Sequence, residues 1–422
     1  PIAVLRTLSQ VSSMITQGGK RDGANMAVMA MSHPDIEEFI SCKSVEGEIH
    51  NFNISVGVDT KFMEAVKNNA SYPLINPNTK QITKWIDARE IFGKIVEGAW
   101  KNGEPGMIFL DRVNEDNVVI DTLGEMIATN PCGEQPLLGN ESCNLGSINL
   151  SKFYIESESN WQDKIDWDRL KKVTILSTHF LDNVIDANKY ATEDIEKMTK
   201  ATRKIGLGVK GFADLLIQLR IPYNTELARE VGESLMRFIR EKSDSYSKHL
   251  ANLRGVYPAG KDKDEYRNAC RMTVAPTGTI SMIAGCSSGI EPSFALVWKK
   301  SNILEGKTLY YSNKYFEEDA KEHGFYSEEL MEYLSNGNSL QNRDEVPEWA
   351  KEIYITSPEI SPEAHVLMQS AFQKSVDSGI SKTINFPNEA TREDVQEAYL
   401  LAWETGCKGI TVYRAGSREK EV

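Results

Sequence analysis

Apolar positions along the chain switch between helical spacing and short continuous runs. Ile91, Ile95 and Ala99 share one face of a helix that Asp87 can cap and that Asn102-Gly103-Glu104-Pro105 stops. A second amphipathic helix starts at Thr225 and carries Leu235, Phe238 and Ile239 on its apolar side. A third opens with Thr391 and Asp394 as a capping box, buries Val395, Tyr399, Ala402 and Trp403, and ends at Gly406. The run Gly409-Ile410-Thr411-Val412-Tyr413 follows at once and reads as a strand. Helix, glycine and strand in direct succession are what an α/β barrel or doubly wound sheet requires. The stretch 335–362 is polar and irregular, and is expected to be a surface insertion within one domain spanning 1–422.

With 422 residues, 40% of them hydrophobic, the chain can bury a sizeable core. Its formal net charge of -13 argues against a partner gripped through a nucleic-acid backbone, which calls for a basic surface. A single nucleotide held by backbone amides stays open. The uncharged run Met272 to Ile290 is interrupted by Pro276, Gly278, Gly285 and Gly289, so it reads as a strand entering a loop. A membrane span would need about 20 mostly apolar residues. Six cysteines without a CxxC pair suggest neither a disulfide scaffold nor a zinc site. The cytoplasm is the expected compartment, and there single thiols become candidates for chemistry.

Two nucleotide signatures fall away. Gly206-Leu207-Gly208-Val209-Lys210-Gly211 matches GxGxxG, but a charged helical segment precedes it where a dinucleotide fold needs an apolar strand; close helix packing at the glycines is expected instead. Gly18-Gly19-Lys20-Arg21 lacks the hydroxyl residue of a phosphate loop. Three other segments carry chemistry. In Asn130-Pro131-Cys132-Gly133-Glu134-Gln135-Pro136, an extended loop would present an amide, a thiol and a carboxylate on one side, suited to adjacent hydroxyls of a small polar substrate. Cys143 follows 11 positions later and could supply reducing equivalents. Thr273-Val274-Ala275-Pro276-Thr277-Gly278-Thr279-Ile280-Ser281 offers successive amides and hydroxyls to a phosphate. Taken singly, each has a plain structural reading: a turn with an inert thiol, a strand-buried cysteine, a helix N-cap.

Together these segments resemble the catalytic subunits of ribonucleotide reductases. Further matching stretches are His33-Pro34-Asp35-Ile36-Glu37-Glu38-Phe39, Asn51-Phe52-Asn53-Ile54-Ser55, Gly285-Cys286-Ser287-Ser288-Gly289-Ile290-Glu291-Pro292 and Ser381-Lys382-Thr383-Ile384-Asn385. The resemblance implies an α/β barrel of ten strands, built as two antiparallel five-stranded parallel halves around a finger loop, and here incomplete at the N-terminus. It implies that Cys132 forms a thiyl radical and takes the 3′ hydrogen of a ribonucleotide, with diphosphates as the expected form. Glu134 would take the 3′-hydroxyl proton, Asn130 would hold and polarise the substrate, and Cys143 would be one of two reducing thiols. Pro131 and Gly133 would line the substrate, and Pro276, Thr277, Gly278, Thr279 and Ile280 would hold its phosphates. Gly18, Gly19, Lys20, Arg21 and Asn25 would belong to the loop through which a deoxynucleotide triphosphate or ATP effector selects the base. Asp22 stands where many relatives carry a basic residue, which puts the selection rules in doubt.

The resemblance is strongest to the adenosylcobalamin (vitamin B12) class: the Cys132–Cys143 spacing is short, and Lys408-Gly409-Ile410-Thr411-Val412-Tyr413-Arg414 carries one tyrosine where the iron-dependent class has two adjacent ones. Tyr310-Tyr311 is read as structural. A thioredoxin- or glutaredoxin-type reductant and a homodimer are implied, with no metal bound directly by side chains, no nucleic acid and no membrane. The family's second reducing cysteine would lie upstream of residue 1 and its terminal cysteine pair beyond residue 422, so the chain is expected to be a piece that does not turn over alone. An iron-dependent large subunit and a silent nucleotide-binding paralogue remain as alternatives.

Overall fold

Seven strands frame the molecule: β1 (Asn25–Ala30), β2 (Phe52–Val58), β3 (Gly106–Phe109), β4 (Asn144–Asn149), β5 (Ile205–Lys210), β6 (Thr383–Phe386) and β7 (Gly409–Arg414). A computed structural model describes all residues except 15, 18–20, 46, 262–263, 304–306 and 418–422, and gives only the backbone of 16–17, 21–22, 300–303 and 307–310. One sheet has the order β6-β7-β3-β2-β1. Its β1, β2 and β3 run parallel to one another, β7 and β6 likewise, and the two groups meet antiparallel where Gly409 faces Ile108.

The pairing does not stop at β6. Ser378 and Ser381 donate backbone N–H to Met272 and Val274, at 3.0 and 2.8 Å, just before the chain enters β6. Met272 in turn bridges in parallel to Leu207 of β5, and β5 pairs in parallel with β4. Among the described residues, then, five parallel segments (β4, β5, 272–274, β6 with its lead-in, and β7) lie antiparallel to a set of three. This is the arrangement of two opposed parallel half-sheets that the resemblance implies.

Strands in such sheets are covered on both faces, which is why they read as nearly continuous apolar runs. Six of the seven residues of β2 are buried, and so are Ile205 to Val209 of β5. Gly206 and Gly208 of the GxGxxG match lie inside β5, where their reason is close approach by strand and loop, not by a helix, and Gly211 caps the helix Phe212–Leu219 that follows. A Cβ on Gly208 would stand 2.2 Å from the carbonyl oxygen of Thr273, and one on Gly206 2.7 Å from the Gln135 amide.

The expected helices form where their caps are. Asp87 accepts from the N–H groups of Arg89 and Glu90 and Gly103 closes Ala88–Asn102 in the left-handed region. Thr225 accepts from Ala228 at the start of Glu226–Arg254, and Thr391 with Asp394 makes a capping box for Arg392–Glu404. The last of these connects β6 to β7, burying Tyr399 and Ala402 against Phe92 and Ile95 of Ala88–Asn102. A second core gathers β4, β5 and Met272 with Glu226–Arg254 and Pro362–Gln373. Segment 335–362 contains the short helix Glu348–Ile353 and buries Leu340, Val346, Ala350 and Tyr354 in a third core. Its apolar residues are spaced among many polar ones, so no periodicity announced them. No described helix is long and apolar enough to cross a membrane.

Candidate active site

Asn130 to Gln135 form the tip of a hairpin whose stem pairs Ala128–Thr129 with Pro136–Leu137. The loop is a tight turn where an extended loop was expected. Gln135 receives the Asn130 N–H at 3.0 Å and donates its own N–H to Asn130 Oδ1, while Gly133 takes φ +83°, which suits glycine. Cys132 is exposed at this tip. Side chains therefore do not alternate two by two: the turn keeps the Asn130 amide beside the buried Glu134 carboxyl and leaves Cys132 exposed.

Both half-sheets hold the loop. Asn53 of β2 donates Nδ2–H to the Pro131 carbonyl at 2.7 Å. From the other half, Gly379 N–H and Thr273 Oγ1–H both donate to the Glu134 carbonyl, at 2.8 and 2.9 Å. The Glu134 side chain is buried, and burial raises its pKa, opposed in part by the Asn130 amide beside it. Its Oε2, and both polar atoms of the neighbouring Gln135 amide, are buried with no hydrogen-bond partner among the described residues. Unpartnered buried polar atoms are rare in folded proteins and call for a ligand or water.

Cys143 sits at the edge of β4, its thiol 3.3 Å from the Asn144 carbonyl oxygen and 3.8 Å from that of Lys204. Burial pushes its pKa well up, and Cys270, Lys204, Glu141 and Glu134 all lie near enough for their charges to act on it. Cys270, which no sequence motif singled out, is buried and donates to Asp377 Oδ1 at 3.2 Å; burial foremost pushes its pKa up to about 12.

Three residues beyond Thr273, the chain turns at Pro276 and enters the helix Gly278–Ala284. Thr277 sits at φ +56°, its Oγ1 accepting from Gly289 N–H at 2.8 Å and sharing a hydrogen bond with Ser281 Oγ. The hydroxyl is thus spent inside the protein. The N–H groups of Gly278, Thr279 and Ile280 are those of a first helical turn, which have no intrahelical acceptors and carry partial positive charge.

Gly18, Gly19 and Lys20 lie outside the described residues, as does the side chain of Arg21. Asn25 opens β1 and donates to Ser12 Oγ at 2.8 Å and to the Asn51 carbonyl. The next residue, Met26, pairs with Asn53, so the end of the expected effector loop is one strand from the residue holding Pro131.

Beside the helix Gly278–Ala284 opens a cavity of about 960 Å³, lined by Cys286, Glu291, Phe294, Trp298, Tyr311 and Tyr413 among others. Trp298 and Tyr311 stack with centroids 6.1 Å apart and planes 10° apart. Met282 and Phe294 are 75% and 66% exposed at its rim. Tyr311, read as structural from its polar surroundings, belongs to the cavity; only the pairing of Val297 with Ser312 in a hairpin brings it there. Glu291 and Asn53 were legible as parts of matching stretches, without a role.

Over residues 1–265 and 259–413 the sequence matches the family described as ribonucleotide reductase, barrel domain. It is 50% identical over 429 residues to the vitamin B12-dependent ribonucleoside-diphosphate reductase of Thermoplasma acidophilum, with 100% of this chain and 55% of that protein aligned. The Mycobacterium tuberculosis protein of the same name is 42% identical over 428 residues, covering 100% of this chain and 59% of its own length. The chain thus spans little more than half of either relative. Among solved structures, the Actinobacillus ureae class Id ribonucleotide reductase alpha subunit superposes with a TM-score of 0.76 at 25% identity, over 93% of this chain and 70% of that one. Two opposed parallel half-sheets clamping a cysteine-tipped hairpin, together with the family match over nearly all residues, establish that the chain belongs to the ribonucleotide reductase barrel-domain family.

Proposed function

We propose that this chain is the catalytic barrel of a cobalamin-dependent ribonucleotide reductase that converts ribonucleoside diphosphates to 2′-deoxyribonucleotides. The observation that carries the reading is the clamped hairpin: Cys132 is presented at a tip whose neighbouring carboxyl, Glu134, is buried with one oxygen unpartnered. In this reading the first-turn amides of Gly278, Thr279 and Ile280, with Pro276 and Thr277 shaping the turn, receive the substrate phosphates. Asn130, Pro131 and Gly133 flank the ribose. Cys132, as a thiyl radical, takes the 3′ hydrogen. Glu134 takes the 3′-hydroxyl proton, a task for which a raised pKa is suited. Cys143 is one of two thiols whose hydrogens and electrons replace the 2′ hydroxyl as it leaves as water. The Gly18–Asn25 loop answers to a nucleotide effector, a thioredoxin- or glutaredoxin-type protein restores the thiols, and the functional unit is a homodimer in the cytoplasm.

The names of the Thermoplasma and Mycobacterium relatives support the cofactor assignment. The residues fit such a group: a cavity of about 960 Å³ with an apolar, partly aromatic rim suits a large cofactor with a broad hydrophobic face. Met282, Phe294, Trp298 and Tyr311 would hold it. When bound, adenosylcobalamin supplies the one-electron chemistry that a thiol cannot start by itself.

An iron-dependent reading has one observation in its favour, since Tyr311 and Tyr413 line the same cavity. One anaerobic assay separates the readings. The chain, supplied with the segments that relatives carry beyond it, is given adenosylcobalamin, a dithiol and cytidine diphosphate, with Cys132→Ala alongside. Deoxycytidine diphosphate that requires both cobalamin and Cys132 is the expected result. Product formed without cobalamin, or retained in Cys132→Ala, overturns it.

A further inference from the structure

One wall of the large cavity is backed by a cation with no access to solvent. The Lys382 side chain is 0% exposed, and its Nζ donates to Glu291 Oε2 at 2.6 Å, His365 Nδ1 at 2.9 Å and the Thr383 carbonyl at 3.3 Å. An ammonium has three hydrogens and no acceptor, so all three are used. It follows that His365 Nδ1 is the accepting nitrogen and that Nε2 carries the hydrogen, which it donates to the Ser357 carbonyl at 3.2 Å. Glu291 Oε1 accepts the Thr383 N–H at 2.7 Å. Each oxygen of Glu291 therefore has one partner behind it, whereas a carboxylate offers about four lone-pair sites in all. The side chain is 26% exposed and lines the cavity.

Two donors of its neighbours on that wall are used within the protein. The Thr383 N–H is given to Glu291, and the Asn385 amide donates to Ser357 Oγ at 2.8 Å. On the wall formed by Glu291, Ser357, Thr383 and Asn385 the one charged group is thus an acceptor, while the rim at Met282, Phe294 and Trp298 is apolar. A ligand that fits both carries a broad apolar face edged with N–H or O–H donors.

We propose that Glu291 contacts the bound cofactor directly, accepting hydrogen bonds from its donor groups, and that Lys382 and His365 are positioning residues that hold the carboxylate in place. This rests on the cobalamin reading above. The donors have two sources of the same chemistry: ribose hydroxyls of the 5′-deoxyadenosyl group or primary amides around the corrin ring.

The test measures binding rather than turnover, on the full chain, with circular dichroism to verify folding. Glu291→Gln removes the charge but strands Lys382, so Glu291→Gln/Lys382→Met is made beside it to leave no unpaired buried cation. Hydroxocobalamin binding is followed by its absorbance shift, and 5′-deoxyadenosine and cytidine diphosphate binding by calorimetry. The expected result is a loss of about tenfold or more in affinity, the weight of a charge-assisted hydrogen bond, in at least one of the first two arms, with cytidine diphosphate unchanged. Loss confined to 5′-deoxyadenosine assigns the ribose; loss confined to hydroxocobalamin assigns the amides. Unchanged binding in both arms, or a loss confined to cytidine diphosphate, overturns the proposal while leaving the cobalamin reading intact. If the unsubstituted chain binds neither hydroxocobalamin nor 5′-deoxyadenosine, the cobalamin reading fails and this proposal with it.

Discussion

Nδ1 of His365 lies 2.9 Å from the Lys382 ammonium, and neither side chain is exposed. Burial, reinforced by the Lys382 charge, lowers the His365 pKa to about 3. The folded value is thus below the ordinary 6.5, and between the two the unfolded chain binds the extra proton. Stability should be full above pH 6.5 and fall as the pH drops toward 3, with a slope from this group of at most about 1.4 kcal/mol per pH unit. Denaturant unfolding at several pH values, compared with His365→Gln, reads it. Gln can still accept from Lys382 and donate to Ser357, so the difference between the two curves should grow as the pH falls. Parallel curves would show that the imidazole is not held neutral.

Glu134 has its pKa raised by burial, with no cation among the causes to lower it. If it is the proton acceptor, the acidic limb of the rate profile in the full-length enzyme should lie above the 4.5 of an ordinary glutamate. Glu134→Gln should lower kcat by about 10²–10⁴-fold and abolish that limb, while nucleotide binding changes little. A limb that persists in the variant would assign it to another group.

A Cβ at Gly379 would stand 2.6 Å from the carbonyl oxygen of Gly133 and 3.1 Å from the Cα of Glu134. Neither is the end of a flexible side chain, so the backbone of the hairpin must yield. Gly379→Ala should cost about 1–3 kcal/mol in urea unfolding and reduce kcat more than it raises KM, because it shifts the loop that presents Cys132. Wild-type stability with wild-type kcat would show that the contact is slack.

Asp182 is fully buried and collects Arg203, Arg254 and Asn268 at 2.9–3.2 Å, bracing Trp167–Ala187 against the chain before β5. Removing one partner of a buried pair strands the other charge. Asp182→Ala should therefore destabilise by about 3–5 kcal/mol, where exposed pairs such as Lys67–Glu404 should matter by less than about 1 kcal/mol. Chemical denaturation of Asp182→Ala and Lys67→Ala reads the contrast, and equal losses would refute it.

Much of this architecture is written in local sequence. Asp87, Thr225 and Thr391 cap helices because a short oxygen-bearing side chain meets the free amides of a first turn, a relation contained within three residues. The run Gly409–Arg414 pairs with β6 and β3 and buries Ile410 and Val412 on one face while Thr411 is exposed on the other, a pattern that a short apolar run bounded by Gly409 announces. Asn130, Cys132 and Glu134 were visible together because one tight turn contains them. The direction they face was not, since Gly133 at positive φ replaces the two-residue alternation.

Caps, apolar spacing and short motifs are relations between near neighbours, so the elements and the family to which they belong can be read along the chain. Tertiary structure alone decided the contacts that make a site. Thr273 and Gly379 lie more than a hundred residues from Glu134 yet hold its carbonyl, and Tyr311 reaches the cavity of Tyr413 through a hairpin. The same holds for Glu291, whose charge matters because Lys382, 91 residues away, has been carried out of water beside it. In a sheet built by parallel crossovers, strand neighbours are distant in sequence, so pairing across it leaves no local trace.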